Sequence, residues 1–80
     1  FSPNPFSGKT NIEFYQTEGK PVSIDVYSIY GSKITGFEIP SPEYGWNTLI
    51  WNPEKKLAKG VYSIMLRQGN YKEVKKIIYN

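Results

Sequence analysis

Neither histidine nor cysteine occurs anywhere in this 80-residue chain. Without histidine it lacks the side chain most often used as a general base near neutral pH. Without either residue it lacks the usual transition-metal ligands, the thiolate nucleophile and any disulfide that could staple a small fold. No metal or cofactor site is expected. Long hydrophobic runs are missing as well: the apolar stretches fall far short of the ~20 residues that a transmembrane helix needs, and no signal peptide is present. Helical periodicity is absent too, because no helix-length segment keeps apolar residues at i, i+3, i+4 and i+7 without Gly or Pro interrupting it. A phosphate-cradling Gly-x-x-x-x-Gly-Lys and an alternating-acid calcium loop are not found. The seven acids are scattered singly, not paired as glycosidic hydrolysis requires. Asp25, between Ile24 and Val26, is expected to face solvent from a strand. Together these absences point away from an enzyme.

Aromatic residues, by contrast, are plentiful: four Phe, two Trp and seven Tyr. A buried ring removes about 150–250 Å² from water, so these side chains can supply a core that no cross-link supports. The length fits one domain near the lower end of what folds alone. Because the chain opens at Phe1 without Met, it is expected to be the C-terminal domain, residues 1–80, of a longer exported protein.

Charge is unevenly placed. Lys55, Lys56, Lys59, Arg67, Lys72, Lys75 and Lys76 face only Glu54 and Glu73 in the C-terminal half, whereas Lys9, Lys20 and Lys33 are outnumbered by acids before Tyr44. A basic half fits an anionic partner. The plainer reading is a set of solvated lysines that discourages edge-to-edge strand pairing.

The pattern along the chain is that of an all-β protein. Residues 11–16 alternate apolar and polar, and 21–26 place Val22, Ile24 and Val26 on one face. Thr17 to Pro21 and Tyr30-Gly31-Ser32 are turn chemistry, and a further strand follows at 33–37. Pro40 and Pro42 mark a connection, since prolines so spaced cannot serve a central strand. In 46–51, Asn47, Leu49 and Trp51 lie on one side, with Trp46, Thr48 and Ile50 on the other. Asn52 to Lys56 is expected to turn the chain. Residues 61–67 and 71–79 flank Gly69-Asn70, the sequence form of a tight hairpin whose glycine needs φ > 0. Tyr62, Ile64 and Leu66 share a face. The last strand resists phasing, because Val74 and Ile78 point one way while Ile77 and Tyr79 point the other. Short strands bounded by turn signals predict a small antiparallel immunoglobulin-like β-sandwich of about seven strands, with a partly open barrel as the alternative.

Trp46, following Tyr44-Gly45, is a candidate for stacking on a sugar ring, with Tyr44 beside it. The structural alternative is that Trp46 covers an edge of the domain or packs on a neighbour. Stacking on nucleic-acid bases would also use aromatics near lysine, but no accompanying signature is present and no nucleic-acid partner is expected.

The assembled motifs resemble the type A C-terminal sorting domain of the type IX secretion system. Ser2-Pro3-Asn4-Pro5-Phe6 is similar to the family's opening Pro-Asn-Pro-Phe. Val22 to Lys33 resembles its Ile-Tyr-Asp-x-x-Gly-Lys hairpin, and Gly45 to Trp51 its Gly-x-His/Asn-x-Val-x-Trp strand. Leu57 to Ile64 carries its Gly-Val/Ile-Tyr motif, and Lys75-Lys76-Ile77-Ile78 its terminal Lys-Lys-hydrophobic strand. Where many members end on a basic residue, this chain ends Tyr79-Asn80. A similar immunoglobulin-like module occurs in the flagellar hook-capping protein and on extracellular enzymes.

The resemblance implies a non-catalytic module read by an outer-membrane translocon, with an upstream cargo domain delivered through the periplasm to the cell surface or exterior. By position it assigns recognition to Gly60, Val61, Tyr62, Lys75, Lys76, Ile77 and Ile78, and the lead-in to Pro3, Asn4 and Pro5. Physical chemistry gives each a structural role as well. The residues before Pro3 and Pro5 are pushed toward extended conformations. Gly60 is expected at φ > 0, and Tyr62 is expected to bury its ring while its hydroxyl finds a backbone partner. An accessory sandwich on an extracellular hydrolase, serving as spacer or glycan binder, is the rival reading.

Overall fold

The computed structural model describes residues 8–53 and 57–80. Six strands, β1 (Thr10–Gln16), β2 (Val22–Ser28), β3 (Lys33–Ile39), β4 (Gly45–Trp51), β5 (Gly60–Gln68) and β6 (Tyr71–Tyr79), form two antiparallel sheets. One sheet has the order β3-β2-β5-β6; the other is the pair β1-β4. Each of the six strand runs read from the sequence is present among the described residues, where the immunoglobulin-like analogy had supplied a count of seven.

Two kinds of connection build this arrangement. The short turns stay within the large sheet. At 29–32 the Ser28 amide donates to Ser32 O at 2.8 Å and Gly31 N to Ser28 O at 3.0 Å. The Ser28 hydroxyl oxygen accepts from the amides of Tyr30 at 3.2 Å and Ser32 at 3.3 Å. At Gly69-Asn70, φ is +57° at the glycine and not positive at the asparagine, the sign pattern of a type II′ hairpin turn. The longer connections, 17–21 and 40–44, carry the chain from one sheet to the other. The latter holds Pro40 and a buried Pro42, as the strand-breaking prolines require.

Alternation then decides what lies between the sheets. Ile12 and Phe14 from β1, Val22, Ile24 and Val26 from β2, Trp51 from β4, Tyr62, Ile64 and Leu66 from β5 and Ile77 from β6 form the buried core. Phe37, Ile39, Leu49, Leu57 and Tyr79 pack against it. The ambiguous phase of β6 resolves through register: Ile77 pairs with Tyr62 on the core side, and Val74 and Ile78 pair with Met65 and Val61 on the outer side.

Two buried polar groups were not anticipated as such. Gln16 is 1 % exposed, and its side-chain oxygen accepts from the Gln68 side-chain amide, which also donates to Lys20 O at 2.9 Å. This contact ties the end of β1 to the end of β5 across the two sheets. Asp25, expected to face solvent, is instead 5 % exposed. It does lie on the outer side of β2, but Arg67 Nη2 and Lys33 Nζ close over it at 3.0 and 3.2 Å. Gly36, its register partner, leaves room: a Cβ there would sit 2.6 Å from Asp25 Oδ1. Long basic side chains from both neighbouring strands therefore bury a carboxylate that alternation alone placed in water.

Candidate functional site

The residues assigned to recognition converge on one end of the β5–β6 hairpin. Gly60, Val61 and Tyr62 lie in register with Tyr79, Ile78 and Ile77, while Lys76 and Lys75 face Ser63 and Ile64. Convergence is only half the geometry, because the strand pleat divides these side chains between two faces. Tyr62 and Ile77 are buried in the core. The Tyr62 hydroxyl donates to Ala58 O at 2.6 Å, four residues upstream, so both the ring and its polar tip are used inside the domain. Gly60 stands at φ +150°, which a side chain rarely adopts, and among the described residues nothing lies within 4 Å of where a Cβ would be. Its requirement is backbone geometry, not space.

On the outer face the picture differs. Val61 is half-buried, Ile78 is 45 % exposed and Lys76 is exposed. Met65 and Val74, which the motif comparison did not single out, continue the apolar stripe, and Tyr27, Ile29, Val61, Val74 and Lys76 line a shallow groove there. Alternation from Val61 through Met65 and from Val74 through Ile78 carried the signal for this stripe. Lys75 projects from the core side of β6 yet remains exposed, because β6 is an edge strand. Among the described residues β6 is paired along one side only.

Near the hairpin turn, the Tyr71 hydroxyl donates to Glu73 Oε1 at 2.8 Å. That hydrogen bond, then the negative charge of Glu73, raises the Tyr71 pKa above the ordinary 10.0.

Pro3, Asn4 and Pro5 lie outside the described residues, as do Glu54, Lys55 and Lys56 of the expected turn at 52–56. Tyr44 and Trp46 are both exposed. Tyr44 stands in the 40–44 connection with its ring over Gly19. Trp46 points outward from β4 and meets Tyr15, its register partner on β1, edge to face with ring centroids 5.4 Å apart. Tyr15 was not foreseen as that partner, since nothing local shows that β1 and β4 are neighbours. Just inside, Asn47 laces the start of β4. Its Oδ1 accepts from Glu43 N at 3.1 Å, and its Nδ2 donates to Glu43 O at 2.8 Å and Gly45 O at 3.3 Å. The Gly-x-Asn motif thus has a structural use.

Among the described residues no three His, Cys, Asp or Glu side chains come together. The described residues form no helix, so none that is long and apolar enough to cross a membrane. What they present is a β-sandwich whose exposed features include a one-sided strand edge, an apolar stripe and an aromatic pair. The sequence profile of the secretion system C-terminal sorting domain matches residues 2–80, and the chain belongs to that family, the sorting domains of type IX secretion. No curated protein and no solved structure matches it significantly. Membership carries an association with secretion or cell-surface export.

Proposed function

We propose that this chain is the non-catalytic sorting module of an exported protein and that it is recognised as a folded domain by an outer-membrane translocon. It thereby directs an upstream cargo through the periplasm to the cell surface or exterior. The observation that carries this reading is the convergence of Gly60-Val61 with Lys76 and Ile78 beside the open side of β6. Tyr62 and Ile77 belong to the same motifs but serve by holding the hairpin in place, since both are buried. Recognition of a folded surface then falls to Val61, Lys75, Lys76 and Ile78.

The test is export of cargo in the native host from a Lys76→Glu/Ile78→Ser variant, with folding of the purified module checked by circular dichroism. A folded variant whose cargo stays inside the cell is the expected result. Delivery at the normal level would remove the hairpin from the recognition surface. Truncating Lys75–Asn80 is a poorer test, because it also takes Ile77 out of the core.

A second reading, an accessory glycan-binding sandwich, has one observation in its favour: Trp46 and Tyr15 are 67 % and 61 % exposed side by side. It requires calorimetric heat against a polysaccharide panel that disappears in Trp46→Ala, and a role for Tyr44 requires the same of Tyr44→Ala.

A further inference from the structure

The side of β6 that no described strand pairs with has a chemical pattern that narrows what it can accept. Its outer-face side chains run Lys72, Val74, Lys76, Ile78, alternating basic and apolar. All four are exposed. Behind them, on β5, Met65 and Val61 extend the apolar positions sideways into the groove that Tyr27 closes. A strand added along this side would hydrogen-bond through backbone alone, and its side chains would fall directly opposite this row.

A second copy of the chain fits poorly. Laid antiparallel along β6 about its midpoint, it sets Lys75 against Lys75. Sliding it two residues one way sets Lys72 against Lys76, and the other way Lys76 against itself. Like charges directly opposite one another are unfavourable, and lysine on an edge strand commonly prevents such self-pairing. Lys75 on the core-facing side adds to this, being an inward-pointing charge at an edge.

We propose that β6 accepts a partner strand in which acidic and apolar side chains alternate on one face. Acids stand opposite Lys72 and Lys76, and apolar residues stand opposite Val74 and Ile78 to continue the outer stripe. This deepens the sorting reading and rests on it for the partner's biological setting; the strand chemistry itself comes from the charge and pleat of β6. The lysines then act twice, repelling identical chains and selecting an acidic one.

The experiment uses the purified chain and three synthetic fluorescent peptides long enough to span β6. One alternates Glu and Val on a face with Ser between, the second has Lys in place of Glu, and the third is the Glu peptide N-methylated at alternate residues. By anisotropy, the Glu peptide should bind about tenfold or more tighter than the Lys peptide, the order expected when two cross-strand charge pairs change sign. N-methylation should abolish binding, and the Lys72→Glu/Lys76→Glu variant should reverse the preference. Equal binding of the Glu and Lys peptides, indifference to N-methylation, or a dimer of the chain held through β6 would each overturn the proposal. The same variant assayed for cargo export separates the two ideas. If peptide discrimination fails while export still depends on these lysines, the strand proposal falls and the sorting reading stands. If discrimination holds while export ignores them, the edge binds such strands but the translocon does not read the sorting module through β6.

Discussion

The hydroxyl of Tyr62 donates to the carbonyl of Ala58 at 2.6 Å, closing a loop from the third residue of β5 back onto the connection that delivers it. The ring is buried between the sheets and the hydroxyl reaches the rim. This resembles the tyrosine corner of immunoglobulin-like sandwiches, in which the hydroxyl bonds to backbone a few residues upstream. A Tyr62→Phe variant keeps the ring and loses only the bond. It should unfold about 0.5–1.5 kcal/mol more easily, at the lower end because Ala58 is exposed and water can replace the donor. In a domain of this size 1 kcal/mol corresponds to roughly 4–8 °C in Tm. Calorimetry measures that shift, and export of cargo by the same variant should be unchanged at temperatures where it stays folded.

Asp25 supplies the second prediction. Its carboxylate is nearly inaccessible while Arg67 and Lys33 reach solvent with more than half of each side chain. The asymmetry sets the direction of the mutational cost. Removing a cation leaves a buried anion with less support, whereas removing the anion frees two cations that water already touches. Arg67→Met should therefore destabilise by about 1–3 kcal/mol, below the cost of breaking a fully enclosed pair because Arg67 is half exposed. Asp25→Asn should cost less. Gly36→Ala should also destabilise, since its methyl would press on Asp25 Oδ1 at 2.6 Å and on Lys33 Cε at 2.9 Å. Urea titrations of the three variants give the order; a costlier Asp25→Asn would show that the cations, not the carboxylate, need the pairing.

How far the sequence carries can be seen at these positions. Strand phases were readable wherever one face is buried, as for Val22, Ile24 and Val26 or Tyr62, Ile64 and Leu66, because a one-residue slip would expose the whole set. Local turn chemistry placed the Gly69-Asn70 hairpin and the positive φ of Gly60. Partner choice between strands was not readable, since pairing of β1 with β4 brings together Tyr15 and Trp46 from segments whose local patterns are indifferent to it. For the same reason Gln16 met Gln68 unannounced. The phase of β6 was obscure because an edge strand with an apolar outer stripe has hydrophobic residues on both faces. Asp25 was misread because its two cations come from the neighbouring strands β3 and β5, whose pairing with β2 alternation does not show, and Arg67 lies 42 residues away.

The Tyr71–Glu73 contact predicts a dependence on alkaline pH. The hydrogen bond and the carboxylate charge favour the protonated phenol in the folded chain, so its pKa lies above the ordinary 10.0. A raised folded-state value means that the contact stabilises fully below that ordinary value and is lost as pH climbs through the raised one. Two consequences follow for Glu73→Gln. Tyr71 should ionise at lower pH than in the parent chain, followed through the ring carbon shifts by NMR. The stability difference between the two chains should stay constant across neutral pH and shrink only in the alkaline range. A Tyr71 titration identical in both would remove Glu73 as the cause.

The hairpin turn gives a test of why β6 lies where it does. Gly69 stands at φ +57°, and among the described residues a Cβ added there would meet Lys20 Cδ at 3.5 Å and Nζ at 3.6 Å, ordinary contacts. Space is therefore available and backbone conformation alone opposes a side chain. Gly69→Ala should destabilise by roughly 1–2 kcal/mol, the cost of forcing an L-residue into positive φ. A chain synthesised with D-alanine at position 69, whose preferences are the mirror image, should be at least as stable as the parent because it also restricts the unfolded state. Thermal unfolding of the two diastereomers isolates chirality from size. If both are equally unstable, backbone chirality would not be the cause and the positive φ of the turn would not be what fixes the register of β6. If only the L-form is unstable, its hydrogen exchange should quicken first at 71–79, since loss of the turn loosens the edge strand before the core.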